Sequence, residues 1–160
     1  MRGNRVLITA EPRGRFIEGI VDGTPYPGTI MEVSAVAVDA MGRHTWGVYN
    51  PGGDGQMPIG PYAVLLERGE GYNYTTIYVS GYPCFLYVPL PGDELNLLWS
   101  EAGTGTGDAV AVGDKAEVDD GTGLLIDTTS TPESEPYIAM EAVSDVVATG
   151  TMVWCMATGH

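Results

Sequence analysis

A chain of 160 residues with 44% hydrophobic side chains is long enough to bury a core as one domain, which excludes a disordered polymer. Its 23 glycines and 11 prolines disfavour long helices and favour many tight turns, so the composition predicts an all-β protein. The formal net charge of −14, from 21 acidic and 7 basic residues, excludes nucleic acid as a partner for most of the surface.

The first segment, residues 1–29, is predicted to be an extended arm, because three prolines and five glycines disfavour regular structure there. It contains no apolar run of signal-peptide or membrane-span length, so we expect synthesis in the cytoplasm and no membrane partner. With four arginines and only Glu11 as an acid, the first fifteen residues carry +3 and the rest carry −17. A basic arm therefore precedes an acidic body, residues 30–160.

From Thr29 onward, apolar and β-branched runs alternate with turn-forming residues, which is typical of strands. "YIAMEAVSDVVATG" also fits a helix at a spacing of four residues, but Pro136 and Gly150 confine it, and a strand is favoured. No internal repeat is visible. About ten short strands predict a single compact sandwich-like or barrel-like domain with the arm attached. The runs, in chain order, are "TIMEVSAVAV", "HTWGVY", three in "YAVLLERGEGYNYTTIYVSGYPCFLYV", "ELNLLW", "AVAV", "KAEV", "LLID", "YIAMEAVSDVVATG" and "TMVWCM".

Three features of the second half resemble the C-terminal half of tailed-phage capsid decoration (cement) proteins: a "PGDEL" strand, the hairpin "VGDKAEVDDGTGLLI", and "EPYIAMEAV". The resemblance covers about residues 85–157. It implies a β-tulip-like fold and a structural protein on the outer surface of a bacteriophage capsid. It further implies that the major capsid protein is the partner, that the chain forms a homotrimer rather than a dimer, and that it stabilises the shell by bridging neighbouring capsid subunits.

The basic arm is the predicted contact with those subunits. "RVLIT", Arg5–Thr9, is β-branched and apolar, so it is suited to adding a strand to an exposed sheet edge of a partner. The arginines would meet acidic patches on the capsid. The predicted capsid-interface residues are Arg2, Arg5, Val6, Leu7, Ile8, Arg13 and Arg15.

Motifs for catalysis are weak in this sequence. The Gly-rich string Gly103–Gly107 precedes a strand-like run and lacks the Lys-Ser/Thr pair of a phosphate-binding loop. His44 and His160 are the only imidazoles, and no G-x-S-x-G turn presents a nucleophile. Cys84 and Cys155 have no metal or redox spacing and are predicted to be buried free thiols. We therefore predict no enzymatic activity, no cofactor and no metal.

A second hypothesis rests on tyrosines. If residues 72–82 form one strand, four tyrosines share a face opposite Ile77 and Val79, and such a face suits sugars or protein interfaces. Ordinary cross-strand packing would explain the same pattern. The alternative function is therefore a carbohydrate-binding β-sandwich module, virion-attached or free, and a small hydrolase with unrecognised carboxylates comes third. The predicted oligomer or ligand surface consists of Tyr72, Tyr74, Tyr78 and Tyr82.

Overall fold

A computed structural model describes residues 5–8, 12–38, 44–49, 62–67, 75–100, 109–119, 121–127, 137–147 and 149–158, with the backbone alone at 34–38, 44, 45 and 49. The described residues contain strands and no helix, so the all-β prediction is confirmed. The strands are β1 (Arg15–Val21), β2 (Ile30–Val38), β3 (His44–Tyr49), β4 (Tyr62–Leu65), β5 (Pro83–Val88), β6 (Glu94–Trp99), β7 (Lys115–Val118), β8 (Leu125–Asp127), β9 (Tyr137–Ala139) and β10 (Thr151–Ala157).

The strands close into two five-stranded barrels, one in each half of the chain. The first barrel has the order β1-β3-β2-β4-β5, with β5 pairing back to β1. The second has the order β6-β8-β7-β9-β10, with β10 pairing back to β6. The predicted barrel-like architecture is thus present twice.

The two barrels share one topology. In each, the first and third strands run parallel, and the other four pairings are antiparallel. The sequence showed no repeat, because a strand pairing requires only an alternation of apolar and polar side chains and not particular residues. The chain is therefore a structural duplication that the amino-acid sequence does not display.

Strand β1 lies inside the segment predicted to be an arm. Its sequence alternates: Ile17 and Val21 are buried in the first barrel, whereas Phe16 and Glu18 are exposed. β1 pairs with β5 over most of its length and with β3 at its end. The predicted extended arm over residues 1–29 is therefore wrong from Arg15 onward, because β1 belongs to the first barrel. Among the described residues, the part without a regular strand at the N-terminus ends before Arg15.

Two buried clusters form the core. One fills the first barrel, and its ten members all come from residues 17–86. The other fills the second barrel and extends into the seam between the barrels. In β4, Ala63 and Leu65 belong to the first cluster and Val64 to the second, because successive side chains of a strand point to opposite faces. The outer face of the first barrel therefore packs against the second.

Candidate interaction surface

The N-terminal segment lies along β6 of its own chain. The amide of Ile8 donates to the Glu94 carbonyl oxygen at 3.0 Å, and the amide of Asn96 donates to the Val6 carbonyl oxygen at 2.6 Å. The Asn96 side chain donates to the carbonyl oxygen of Arg5 at 2.6 Å. Val6 is completely buried in the second barrel's cluster. The strand-like pairing predicted for this segment therefore takes place within the chain in this structure.

The residues predicted to contact a capsid differ in how much of their surface is exposed. Val6 has no exposed surface, so it belongs to the core and not to an interface in this structure. Leu7 and Ile8 are half-buried, and Arg2 lies outside the described residues. The arginines that the structure describes are exposed: Arg5, Arg13 and Arg15.

A buried polar network fixes the junction between this segment and β1. The amide of Gly14 donates to the Tyr87 hydroxyl oxygen at 2.7 Å, and that hydroxyl donates to Asp93 Oδ2 at 2.6 Å. The same carboxylate oxygen accepts the amide of Leu90 at 2.8 Å. Burial and the hydrogen bond to Asp93 raise the pKa of Tyr87, so its hydroxyl keeps the proton that it donates.

Sterics at Gly14 add to this restraint. A Cβ atom there would lie 2.1 Å from the Val88 carbonyl oxygen and 2.6 Å from the Tyr87 ring, so no larger residue fits without a shift of the backbone. The neighbouring Arg13 donates from Nη2 to the Pro91 carbonyl oxygen at 2.8 Å. Hydrogen bonds and close packing therefore fix the position of Arg13 and Gly14, and the side chains of Arg13 and Arg15 are exposed at the surface.

Directly after Arg15, β1 and β5 present a face with two exposed phenylalanine rings. On β1 and β5, Glu18 is paired with Phe85, and Ile20 with Pro83. Phe16 is 56% exposed although its ring lies 5.0 Å from that of Tyr87, and Phe85 is 42% exposed. Phenylalanine is usually buried in a monomer, so two exposed rings on one pair of strands indicate an interaction surface. We call Phe16, Glu18, Ile20, Pro83 and Phe85 the β1–β5 face.

The predicted tyrosine face is not formed by the described residues. Residues 75–81 make turns and bends and no strand. Tyr78 is buried in the first barrel and donates its hydroxyl to the Leu66 carbonyl oxygen at 2.9 Å, so it is a core residue and not a surface residue. Ile77 and Val79, predicted to oppose the tyrosines on an apolar face, are exposed. Tyr82 is also exposed, and Tyr72 and Tyr74 lie outside the described residues.

Few groups in the described part of the chain are placed for covalent or metal chemistry. No cluster of three or more His, Cys, Asp or Glu side chains occurs there. Cys84 and Cys155 are free and buried, and burial raises the pKa of Cys84 to about 12 and that of Cys155 still further, so both stay protonated near neutral pH. The string Gly103–Gly107 and the His44 side chain lie outside what the structure describes. Within the described ranges, no helix long and apolar enough to cross a membrane was found.

The chain is thus an all-β protein of two like barrels with an aromatic face beside basic residues. No protein-family model and no curated protein matches it. Among solved structures it is similar to the head fiber gp8.5 N base of bacteriophage phi29, with a TM-score of 0.50 and 10% sequence identity. The match covers 91% of this chain and 94% of that one, so it includes both barrels. At this identity, the likeness shows a shared fold.

Proposed function

We propose that this chain is a structural protein of a bacteriophage virion that binds the outer surface of the capsid and bridges neighbouring capsid subunits. The observation that carries the proposal is the likeness to the phi29 head fiber base, which covers nearly the whole of both chains. Because proteins with one fold can have many functions, the proposal also needs support from the surface of this chain. The β1–β5 face and the neighbouring arginines supply it.

The proposed mechanism is adhesion. The rings of Phe16 and Phe85 would lose their exposed area to a capsid subunit, and burial of apolar area stabilises a contact by roughly 25 cal/mol per Å². Arg13 and Arg15 would steer the otherwise acidic protein towards acidic groups beside that apolar contact. Because many copies bind one lattice, weak individual contacts reinforce the shell collectively.

Three finer features belong to the same proposal. The chain acts as a decoration (cement) protein that stabilises the capsid, and it assembles as a homotrimer. It has no enzymatic activity and binds no cofactor or metal. In support of self-association, several large apolar side chains stay exposed on a single chain.

Co-sedimentation with capsids that lack the protein tests the proposal. Wild type should pellet with the capsids and raise the temperature at which they rupture. A Phe16→Ser/Phe85→Ser variant and an Arg13→Ala/Arg15→Ala variant should each bind at least about tenfold more weakly, which corresponds to about 1.4 kcal/mol. Only the arginine variant should lose its salt dependence, because salt screens exposed charges and not apolar contacts.

The matched control is Tyr62→Ser, which removes a ring that is 45% exposed on β4 and is not a member of the β1–β5 face. It should bind as wild type does. Circular dichroism checks that every variant is folded, and light scattering tests the homotrimer. Absence of wild-type binding, or an equal loss in the Tyr62→Ser control, would contradict the proposal.

A further inference from the structure

The seam between the two barrels opens into a cleft. Two adjoining cavities, of about 380 and 230 Å³, share Tyr26, Leu98 and Thr149 as lining residues. Residues before β2 form one wall, and residues of β6 and of the turn before β10 form the other. Each half of the chain therefore contributes to a single concave site, and the larger cavity is within the usual size range of a small-molecule pocket, roughly 300–1,000 Å³.

Backbone hydrogen bonds hold the walls together. The amide of Leu98 donates to the Gly28 carbonyl oxygen at 3.1 Å, which joins β6 to the wall that contains Tyr26. The amide of Ile30 donates to the Gly123 carbonyl oxygen at 2.8 Å, which joins β2 to the turn between β7 and β8. Since both bonds connect the first half of the chain to the second, the cleft is built before any ligand binds.

The described residues that line the cleft are uncharged, although the protein has a net charge of −14. Tyr26 is 41% exposed and offers a ring face, whereas Leu98 and Met152 supply apolar surface. Among the described lining residues, hydroxyl groups come from Tyr26 and from the threonines Thr24, Thr29, Thr75, Thr122 and Thr149. The Thr122 hydroxyl already donates to Asp119 Oδ2, so the exposed Thr24 and Thr149 are the threonines best placed for a ligand.

We propose that this cleft binds a neutral oligosaccharide, with a sugar ring stacked on Tyr26 and its hydroxyls hydrogen-bonded to the threonines. A sugar has an apolar C–H face and a rim of hydroxyls, which matches an aromatic ring surrounded by hydroxyl groups. An ionic ligand would find no opposite charge among the described lining residues, and the Asp119 carboxylate bonded to Thr122 would repel an anion. An apolar ligand would cover hydroxyls without replacing their hydrogen bonds to water, which costs free energy. This site is separate from the β1–β5 face, and it gives the protein a second binding activity beyond adhesion to the capsid.

The test is an NMR titration of the full chain with four neutral hexasaccharides: maltohexaose, cellohexaose, chitohexaose and mannohexaose. At least one should shift the amide signals of Tyr26, Leu98 and Thr149 at millimolar concentration. Tyr26→Ala should weaken that binding about tenfold, whereas Tyr26→Phe, which keeps the ring, should stay within about twofold of wild type. Thr149→Val, which replaces a hydroxyl by a methyl group of similar shape, should weaken it about threefold or more.

The matched control is Tyr82→Ala, which removes another exposed tyrosine that does not line the cleft. It should bind the sugar as wild type does. The proposal is overturned if none of the four sugars shifts the cleft signals, if Tyr26→Ala binds unchanged, or if an apolar dye binds in the cleft where the sugars do not. Tyr26→Ala should still co-sediment with capsids, so failure here and failure of capsid binding are distinguishable.

Discussion

The two barrels have the same strand order and the same strand directions, but their buried clusters draw residues from different parts of the chain. The first barrel's cluster comes entirely from its own half of the chain. The second barrel's cluster includes four residues from outside its half, namely Val6, Ile30, Val64 and Tyr87. The two barrels share one topology, but among the described residues only the core of the second includes residues from the other half of the chain.

The difference implies an order of stability. The ten described core residues of the first barrel all lie in its own half of the chain, whereas the second barrel loses part of its cluster whenever the first barrel or the N-terminal segment is displaced. We therefore expect the second barrel to open while the first stays folded, as a cooperative unit of lower stability. Each barrel has one buried thiol on its last strand, Cys84 in β5 and Cys155 in β10, so single-thiol variants can report the opening of each barrel separately.

The largest expected effect comes from a charge placed in the seam. Val64→Asp puts a carboxylate into the second barrel's cluster from the outer face of β4. We expect a loss of roughly 3–5 kcal/mol in the free energy of unfolding, as for other uncompensated buried charges. Amide hydrogen exchange should accelerate more in β6–β10 than in β1–β3 and β5. Val79→Asp, which places the same charge at a valine that is 49% exposed, is the control and should change the stability little.

A smaller effect is expected from Val6→Ala, which removes two methyl groups from a fully buried position. We expect the protein to lose about 2 kcal/mol of stability. Cys155 should become more reactive towards a thiol reagent in native buffer, and Cys84 should not. Arg5→Ala, next in sequence and exposed, should leave both thiols unchanged. Equal acceleration of the two thiols would show that the barrels open together.

Tyr87→Phe removes a hydroxyl group that links Gly14 to Asp93. The loss should be about 1.5 kcal/mol, because the Asp93 carboxylate gives up a hydrogen bond in a buried position. Urea unfolding measures it, and Tyr26→Phe, at a position that is 41% exposed, should change the stability little. If Tyr87→Phe is as stable as wild type, the network does not anchor the segment before β1.

The smallest effect near neutral pH concerns the titration of buried thiols and phenols. Burial raises the pKa of Cys84 to about 12, and it raises the pKa values of Cys155 and Tyr137 as well. The unfolded chain releases the thiol protons above about pH 8.5, whereas the folded chain keeps them. The free energy of unfolding should therefore be unaffected at pH 7 and should fall as the pH rises from about 8.5 towards 12.

Urea midpoints measured across that range test this expectation. The Cys84→Ala/Cys155→Ala variant should show a shallower decline between about pH 8.5 and 10, because the unfolded chain then has no thiol protons to release. An unchanged slope would mean that the thiols do not contribute.

Much of the fold follows from local patterns. In β6, the alternation of Leu95 and Leu97 with Glu94 and Asn96 predicts a strand with one buried face, and Leu95, Leu97 and Trp99 are fully buried. Leu98, on the other face, is buried as well. The glycine turns at Gly113 and Gly123 have the positive φ angles that tight turns require. Such features depend on neighbours along the chain, so a single sequence contains the information for them.

The interaction surface was harder to predict. The tyrosine prediction assumed a strand through residues 75–81, but the chain turns there and places Tyr78 in the core. The signal for β1 was present in the alternation of "RFIEGIV", but the flanking prolines outweighed it. The burial of Val6 depends on contacts with β6, about ninety residues later in the sequence, and no local pattern specifies such a pairing. The shared topology of the two barrels also depends on pairings between distant residues, so the sequence did not reveal it.

The closure of both barrels limits the aggregation of the protein at high concentration. An open sheet ends in an unpaired edge strand, and such edges template aggregation when a protein accumulates at high concentration. In each barrel the last strand pairs back to the first, so neither sheet ends in an edge strand. If the chain binds a capsid as proposed, it can accumulate before assembly without presenting a sheet edge of either barrel to other copies.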